Sequence, residues 1–262
     1  MAIEAAVRPT TAQRLGPRLA LLSPIVILLI WEVLSTTNTL DQRFFPPPSQ
    51  IASQLGNERT MARLPGDIVA SLSRIVVGFA IGSTIGLATG LLLGMFRVPR
   101  LILSPVFAAL YPVPKIAILP LLLIIFGLGD ASKWAAVAIG TFFLVFYNTL
   151  AGVLQIPTIY LDVARNAGAS RLQMFRTVAL PAALPDVFTG PRLATGTAFV
   201  VLAAAEFVGA KSGLGVFIWA SWQTLQVDRM YLGIIVLSLM GYVAIVFVSW
   251  LESRLVPWAP RH

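Results

Sequence analysis

The uncharged run Ile75–Phe96, IVVGFAIGSTIGLATGLLLGMF, decides the class of fold. A helix needs about 20 mostly apolar residues to cross a bilayer, and this run suffices by itself. Five glycines, Gly78, Gly82, Gly86, Gly90 and Gly94, recur in it at every fourth position. Four residues advance an α-helix by about 400°, so these glycines trace one slowly turning groove. Small residues at that spacing let two backbones approach closely where lipid supplies no hydrophobic drive. The span is therefore expected to pack through this groove against another helix.

Working outward, Trp134–Ile156 and Met230–Leu251 are two more uncharged runs of sufficient length. Three weaker candidates complete the set. Leu19–Leu34 is short and carries Glu32, and Leu101–Phe126 is interrupted by Lys115 and by Pro105, Pro112, Pro114 and Pro120. Ala182–Ala205 contains Asp186 and Arg192, so it should pack inside the bundle and away from lipid. The composition agrees: 57% of residues are hydrophobic and 11% charged, with a mean hydropathy of +0.84. Soluble globular chains carry roughly 25% charged residues. The expected fold is an all-α polytopic membrane protein with about six transmembrane helices. No hydrophilic stretch is long enough for a second domain, so residues 1–262 read as one transmembrane domain.

The same counts remove whole classes of chemistry. There is no Cys, and the one His is His262, so disulfide frameworks, thiolate metal sites, histidine triads and two-histidine zinc helices are excluded. No catalytic residue and no metal site is assigned. The net charge of +8 is spread as single arginines between apolar runs, which is how topology signals are distributed and not how a phosphate-binding face is built. Nucleic acid is not an expected partner; the lipid bilayer is. Six crossings put both termini on one side, together with ten cations including Arg8, Arg14, Arg18, Arg97, Arg100, Arg165, Arg171 and Arg176, against six on the other side. The positive-inside rule then places both termini in the cytoplasm. The first span lacks a small-x-small cleavage site and reads as an uncleaved anchor.

Three features bear on function. The first is Tyr111-Pro112-Val113-Pro114-Lys115 inside a span. Each proline removes a backbone donor and frees a carbonyl, which is tolerated where protein or a water-lined cavity supplies new partners. On an ideal helix Lys115 would lie roughly 21 Å into the run. Its ammonium either lines a pathway, for anions among other solutes, or snorkels and caps freed carbonyls. Tyr111, Pro114 and Lys115 are thus candidate pathway residues. The second is Glu206, followed by Lys211 and Gly213-Leu214-Gly215, where Lys211 is within reach as a partner for the carboxylate across a tight turn, a pair worth little if exposed. The third is the loop from Asp162 to Pro181. It reads as a short helix, a break at Gly168, a second short helix capped by Ser170, and a stop at Pro181. Leu172, Met174 and Phe175 beside Arg171 and Arg176 have the composition of an interface.

That loop resembles the cytoplasmic signature of ABC importer permeases: an acid, small residues, glycine six residues after the acid, and an apolar-x-Leu-Pro ending. Asp162, Ala164, Gly168, Val178, Leu180 and Pro181 match in spacing, while Asp162 and Val163 stand where the family usually has Glu and Ala. Phe45-Pro46-Pro47-Pro48, Ser71-Leu72-Ser73-Arg74, Pro114-Lys115-Ile116-Ala117, Phe126-Gly127-Leu128-Gly129, Ala205-Glu206 and Pro257-Trp258 look like the nitrate/sulfonate/taurine branch, so that roughly residues 19–258 are covered.

The resemblance implies a type I ABC importer permease fold in a bacterial inner membrane, with residues 162–181 as a cytoplasmic coupling helix. Asp162, Ala164, Arg165, Gly168, Ala169, Arg171, Phe175, Leu180 and Pro181 would meet the ATPase. It implies a second permease copy, two nucleotide-binding ATPase subunits and an extracytoplasmic substrate-binding protein as partners, with Glu206 as a gate or docking point. The cations Lys115 and Arg74 favour a small anion such as nitrate or an organosulfonate as substrate, although the family also handles aromatic and vitamin-like solutes. Independently, the three lysines, Lys115, Lys133 and Lys211, follow Pro, Ser and Ala, whereas a P-loop requires Gly-Lys-Ser or Gly-Lys-Thr. The chain is therefore expected to be no enzyme and to carry no cofactor, ATP and magnesium belonging to the partner ATPase. The rival classes are a secondary transporter or channel, which needs no coupling hook and would show inverted repeats, and an intramembrane enzyme, for which the residues are missing.

Overall fold

The computed structural model describes residues 11–258, with backbone alone at 11–21 and 171–172. Arg8, Arg261 and His262 lie outside the described residues, as do the side chains of Arg14, Arg18, Arg171 and Leu172. Every element is helical: α1 (Thr11–Thr36), α2 (Pro48–Ser53), α3 (Glu58–Met95), α4 (Arg97–Leu110), α5 (Leu119–Phe126), α6 (Asp130–Leu154), α7 (Thr158–Asn166), α8 (Arg171–Met174), α9 (Leu180–Phe207), α10 (Leu214–Gln223) and α11 (Val227–Leu255). A 3₁₀ turn at Lys115–Ile118 leads into α5, and a π turn at Phe175–Ala179 joins α8 to α9.

Among the described residues, four helical stretches are long and apolar enough to cross a membrane: α3, α6, Phe175–Phe207 and α11. A fifth crossing is the broken pair of Arg97–Leu110 and Lys115–Phe126, bent by 89°, and Leu22–Thr36 of α1 is a shorter apolar helix. Two expectations need correction. The Leu101–Phe126 span is not straight, because Pro112 and Pro114 between α4 and the 3₁₀ turn cannot donate to the helical ladder. The distance computed along an ideal helix therefore does not measure where Lys115 lies. Nor does the chain stop at Pro181. The amide of Leu180 reaches back five residues to the carbonyl of Phe175, and this wider turn carries the helix past the proline.

The chain packs as two compact units. In one, formed by the described part of Met1–Ala62 with Ser221–Leu232, α1 leads into α2. Glu32 accepts the amide and hydroxyl of Ser49 at 2.9 and 2.7 Å. A carboxylate is thereby held at the N-terminus of α2, where Pro47 and Pro48 have no amide to offer.

In the other unit, Arg63–Ala220 with Gly233–His262, α6 and α9 form the buried pair and α3 lies along α6. Ile75, Val137, Ala198, Phe199 and Leu202 make one apolar cluster. Ile156, Ala183 and Val187 make another, with Leu87, Val153, Leu161 and Ala179 packed on it. The glycine groove explains the closeness of α3 and α6. A methyl added to Gly78 would lie 2.8 Å from the carbonyl of Trp134, and one on Gly86 2.8 Å from that of Phe142. Methyls at Gly82, Gly90 and Gly94 would meet Ala138, Thr149 and Val153 in the same way.

Candidate functional site

Three groups of residues singled out by the sequence lie at separate places. The 162–181 segment is built by local rules. Helix α7 ends where Gly168 adopts φ +79°. The amide of Ala169 donates to the carbonyl of Ala164 and that of Gly168 to Arg165, each at 3.0 Å, a pattern that needs a left-handed residue at position 168. The chain restarts at once. Ser170 accepts the amide of Gln173 at 3.3 Å, and its own amide donates to the Gln173 side chain at 2.8 Å. This reciprocal cap satisfies two donors at the start of α8. Asp162 and Arg165 pair at 2.8 Å on the exposed side, a contact worth little in water.

The apolar surface of this segment differs from the expected one. Met174 and Phe175 are half-buried, whereas Ile159, Tyr160 and Val163 on α7 are 57–62% exposed. Together with Ala164 and Ala167 from α7 and its end, and Val178 and Pro181 from the returning helix, Tyr160 and Val163 line an open groove of ≈ 820 Å³. Trp258 closes one side of it, its indole N–H donating to the carbonyl of Pro181 at 3.1 Å.

The second group is the bend. The ammonium of Lys115 donates to the carbonyl of Tyr111, one of the acceptors freed where α4 ends. It also stands 4.6 Å from the ring centroid of Phe143 and 5.1 Å from that of Tyr111. Tyr147 completes the aromatic surround, its ring 4.9 Å from that of Tyr111.

The third group surrounds Glu206, and its partner is not the neighbour in sequence. Glu206 does not pair with Lys211; its carboxylate meets the Arg74 guanidinium at 2.7 Å, with Arg74 7% and Glu206 0% exposed at the side chain. Every oxygen is occupied. Ser71 donates to the carboxylate at 2.9 Å and the amide of Gly215 donates at 2.8 Å. Arg74 in turn donates to Asp130 at 2.8 Å and to the carbonyl of Ser212 at 2.5 Å. Asp67 accepts the amide of Gly213 at 2.7 Å, and Lys133 donates to the carbonyl of Leu128 at 2.8 Å. Gly213, at φ +120°, has no room for a side chain because a methyl there would overlap the Glu206 carboxylate. Glu206 thus offers no free atom to a solute. Removing one partner of such a pair would strand a buried charge at a cost of about 3–5 kcal/mol.

With this geometry in place, the similarities become informative. Residues 78–257 match the family model described as binding-protein-dependent transport system inner membrane component. The chain belongs to that family. It is 33% identical over 238 residues to the taurine transport system permease protein of Escherichia coli (strain K12), covering 89% of this chain and 86% of the relative. It is 30% identical over 241 residues to the nitrate import permease protein of Synechocystis sp., covering 88% and 86%. An inward-facing structure of the MetNI methionine ABC transporter has a chain that superposes with a TM-score of 0.65 over 78% of this chain and 100% of that one, at 23% identity.

The protein is therefore the integral inner-membrane permease subunit of an ABC importer, all-helical and non-enzymatic, with ATP hydrolysed in a separate ATPase subunit. For the permease, sequence reasoning missed the charged cluster around Glu206. Ser71 stood out only as part of a family-like string, Arg74 as part of that string and as a cation suited to an anionic solute, and Asp130 and Lys133 not at all as its neighbours; the Arg74 guanidinium is in fact taken up by Glu206 and Asp130. The available signal was the placement of four charges, Arg74, Asp130, Lys133 and Glu206, at the margins of apolar runs, where each needs a buried partner. Which one pairs with which is not encoded locally.

Proposed function

We propose that this permease works as a homodimer, takes its energy through residues 162–181 from two nucleotide-binding subunits, and receives a small anion or organosulfonate from an extracytoplasmic binding protein. Both termini and the 162–181 segment lie in the cytoplasm, following the arginine distribution. ATP and magnesium stay on the ATPase, and the permease holds no cofactor of its own. Tyr111, Pro114 and Lys115 line the solute path, with the ammonium as its cationic element. Relatives named for taurine and nitrate transport support the substrate class.

The observation that carries the reading is the double cap at Gly168 and Ser170. Driving a two-state pore from about 1:99 to 99:1 requires a discrimination of roughly 5.5 kcal/mol. A hinge locked on both sides by backbone and side-chain hydrogen bonds can pass on that much; a slack linker would dissipate it. The exposed Ile159, Tyr160 and Val163 supply the apolar contact that an ATPase groove would bury. The test is Gly168→Leu in the complex reconstituted with its ATPase subunits. Loss of assembly, or uptake reduced at least tenfold, is expected; assembly with uptake at the wild-type rate overturns the assignment.

A further inference from the structure

The buried cluster around Arg74 has no part in the reading above, yet it holds together segments far apart in sequence. Arg74 lies on α3, Asp130 and Lys133 at the start of α6, Glu206 at the end of α9, and Ser212 in the turn that follows. Asp67, Ser71 and Arg74 fall on one face of α3, and between them they hold Gly213, Leu214 and Ser212. Lys133 joins the Gly127–Gly129 loop to the same turn, donating to the carbonyl of Gly209 at 3.5 Å as well as to that of Leu128. Well-packed apolar residues often stabilise a fold as well as a buried ion pair does. Stability alone therefore does not account for burying Arg74, Lys133, Asp67 and Glu206 here, with the half-exposed Asp130 at their edge.

What lies beyond the cluster gives it a role. From Gly78 to Gly94, α3 is seated against α6 with no space for even a methyl group. Helix α6 has 25 residues, about 37 Å at 1.5 Å per residue. At its far end, Val153 and Leu87 pack with Ile156, Leu161, Ala179 and Ala183, which belong to the 162–181 segment and its two flanks. A contiguous chain of tight contacts thus runs from the 209–215 turn to that segment.

We infer that Arg74 is a positioning residue for transport. Through Glu206, Asp130 and Ser212 it fastens the 209–215 turn to a stiff α3–α6 rod whose other end carries the coupling segment. Motion at the ATPase then reaches the opposite side of the membrane as displacement of one body. The inference rests on the proposed coupling role of residues 162–181.

Hydrogen exchange on the permease–ATPase complex tests it, with MgATP and vanadate as the only additions. The amides of Gly213, Leu214 and Gly215 are held by Asp67, Ser71 and Glu206, so their exchange reports directly on the clasp. In the wild type, trapping should change exchange both at 158–170 and at 213–215 by at least about threefold. In Arg74→Gln the response at 158–170 should persist while that at 213–215 disappears, and Arg74→Lys should restore part of it. A purely structural role would loosen the turn equally in both nucleotide states, and an undiminished response in Arg74→Gln overturns the inference. If Arg74→Gln fails to assemble, Asp130→Asn severs only the outer arm of the guanidinium; an undiminished response there overturns it equally. A wild-type complex in which 158–170 responds and 213–215 does not refutes the rod alone. One in which 158–170 is silent refutes the coupling assignment and the rod with it.

Discussion

Trp258 and Pro181 are joined by a hydrogen bond of 3.1 Å from the indole N–H to a backbone carbonyl, across 77 residues of sequence. It ties the chain beyond α11 to the first turn of α9, where a π turn has just carried the helix past the proline. Trp258→Phe keeps the ring and deletes the donor. Because Trp258 is 55% exposed, the cost in stability should stay near the low end of about 0.5–1.5 kcal/mol. Uptake per ATP hydrolysed should fall, and fall further in Trp258→Ala, which opens the groove. Thermal melting in detergent paired with coupled uptake and ATPase assays measures both.

At Gly168 the constraint is purely conformational. A methyl there would touch nothing within 4 Å, yet φ is +79°. Gly168→Asn, which tolerates the left-handed region, should assemble with the ATPase nearly as well as the wild type. Gly168→Ala should lose about 1–2 kcal/mol locally and weaken assembly accordingly. Comparative pull-down by the ATPase subunit checks the order Gly, Asn, Ala.

Two glycines of α3 separate packing from propensity. Gly82→Ala forces a methyl onto the backbone of Ala138, whereas Gly66→Ala meets nothing within 4 Å. The first should be destabilising by about 1–3 kcal/mol, as overpacked cores are. The second should be neutral or stabilising by about 0.5–1 kcal/mol, since glycine disfavours a helix interior. The melting temperature of the detergent-solubilised protein should fall for Gly82→Ala and hold or rise for Gly66→Ala.

The partner of Glu206 is equally testable. Glu206→Leu leaves Arg74 with one carboxylate in place of two and should cost about 3–5 kcal/mol, with a visible loss of folded protein. Lys211→Ala, on an exposed residue, should stay within about 0.5 kcal/mol. Equal effects of the two substitutions would contradict the pairing seen here.

Lys115→Met removes the ammonium at the bend while keeping the length of the side chain. If the charge attracts an anionic solute, apparent KM for uptake of the transported anion should rise about tenfold, equivalent to about 1.4 kcal/mol. An unchanged KM would leave Lys115 as a cap for the Tyr111 carbonyl alone.

Much of the molecule could be read from local pattern. Apolar run length marks the crossings because each helix must satisfy its own backbone in lipid. The four-residue glycine period announces a tight helix contact without naming α6 as its other half. Gly168 and Ser170 mark a break and a restart because a left-handed residue and a side-chain cap act within a few residues.

The remainder depended on three dimensions. Proline at 181 forecast an end, and the helix passed it because a wide turn and the packing of Ala179 and Ala183 on Ile156 carried it through. Lys211 stood five residues from Glu206, yet the buried partner is Arg74, 132 residues away. Charge pairing in a membrane protein follows which helices become neighbours, and that is settled by the whole set of packing faces together. Nearness along the chain has no say in it.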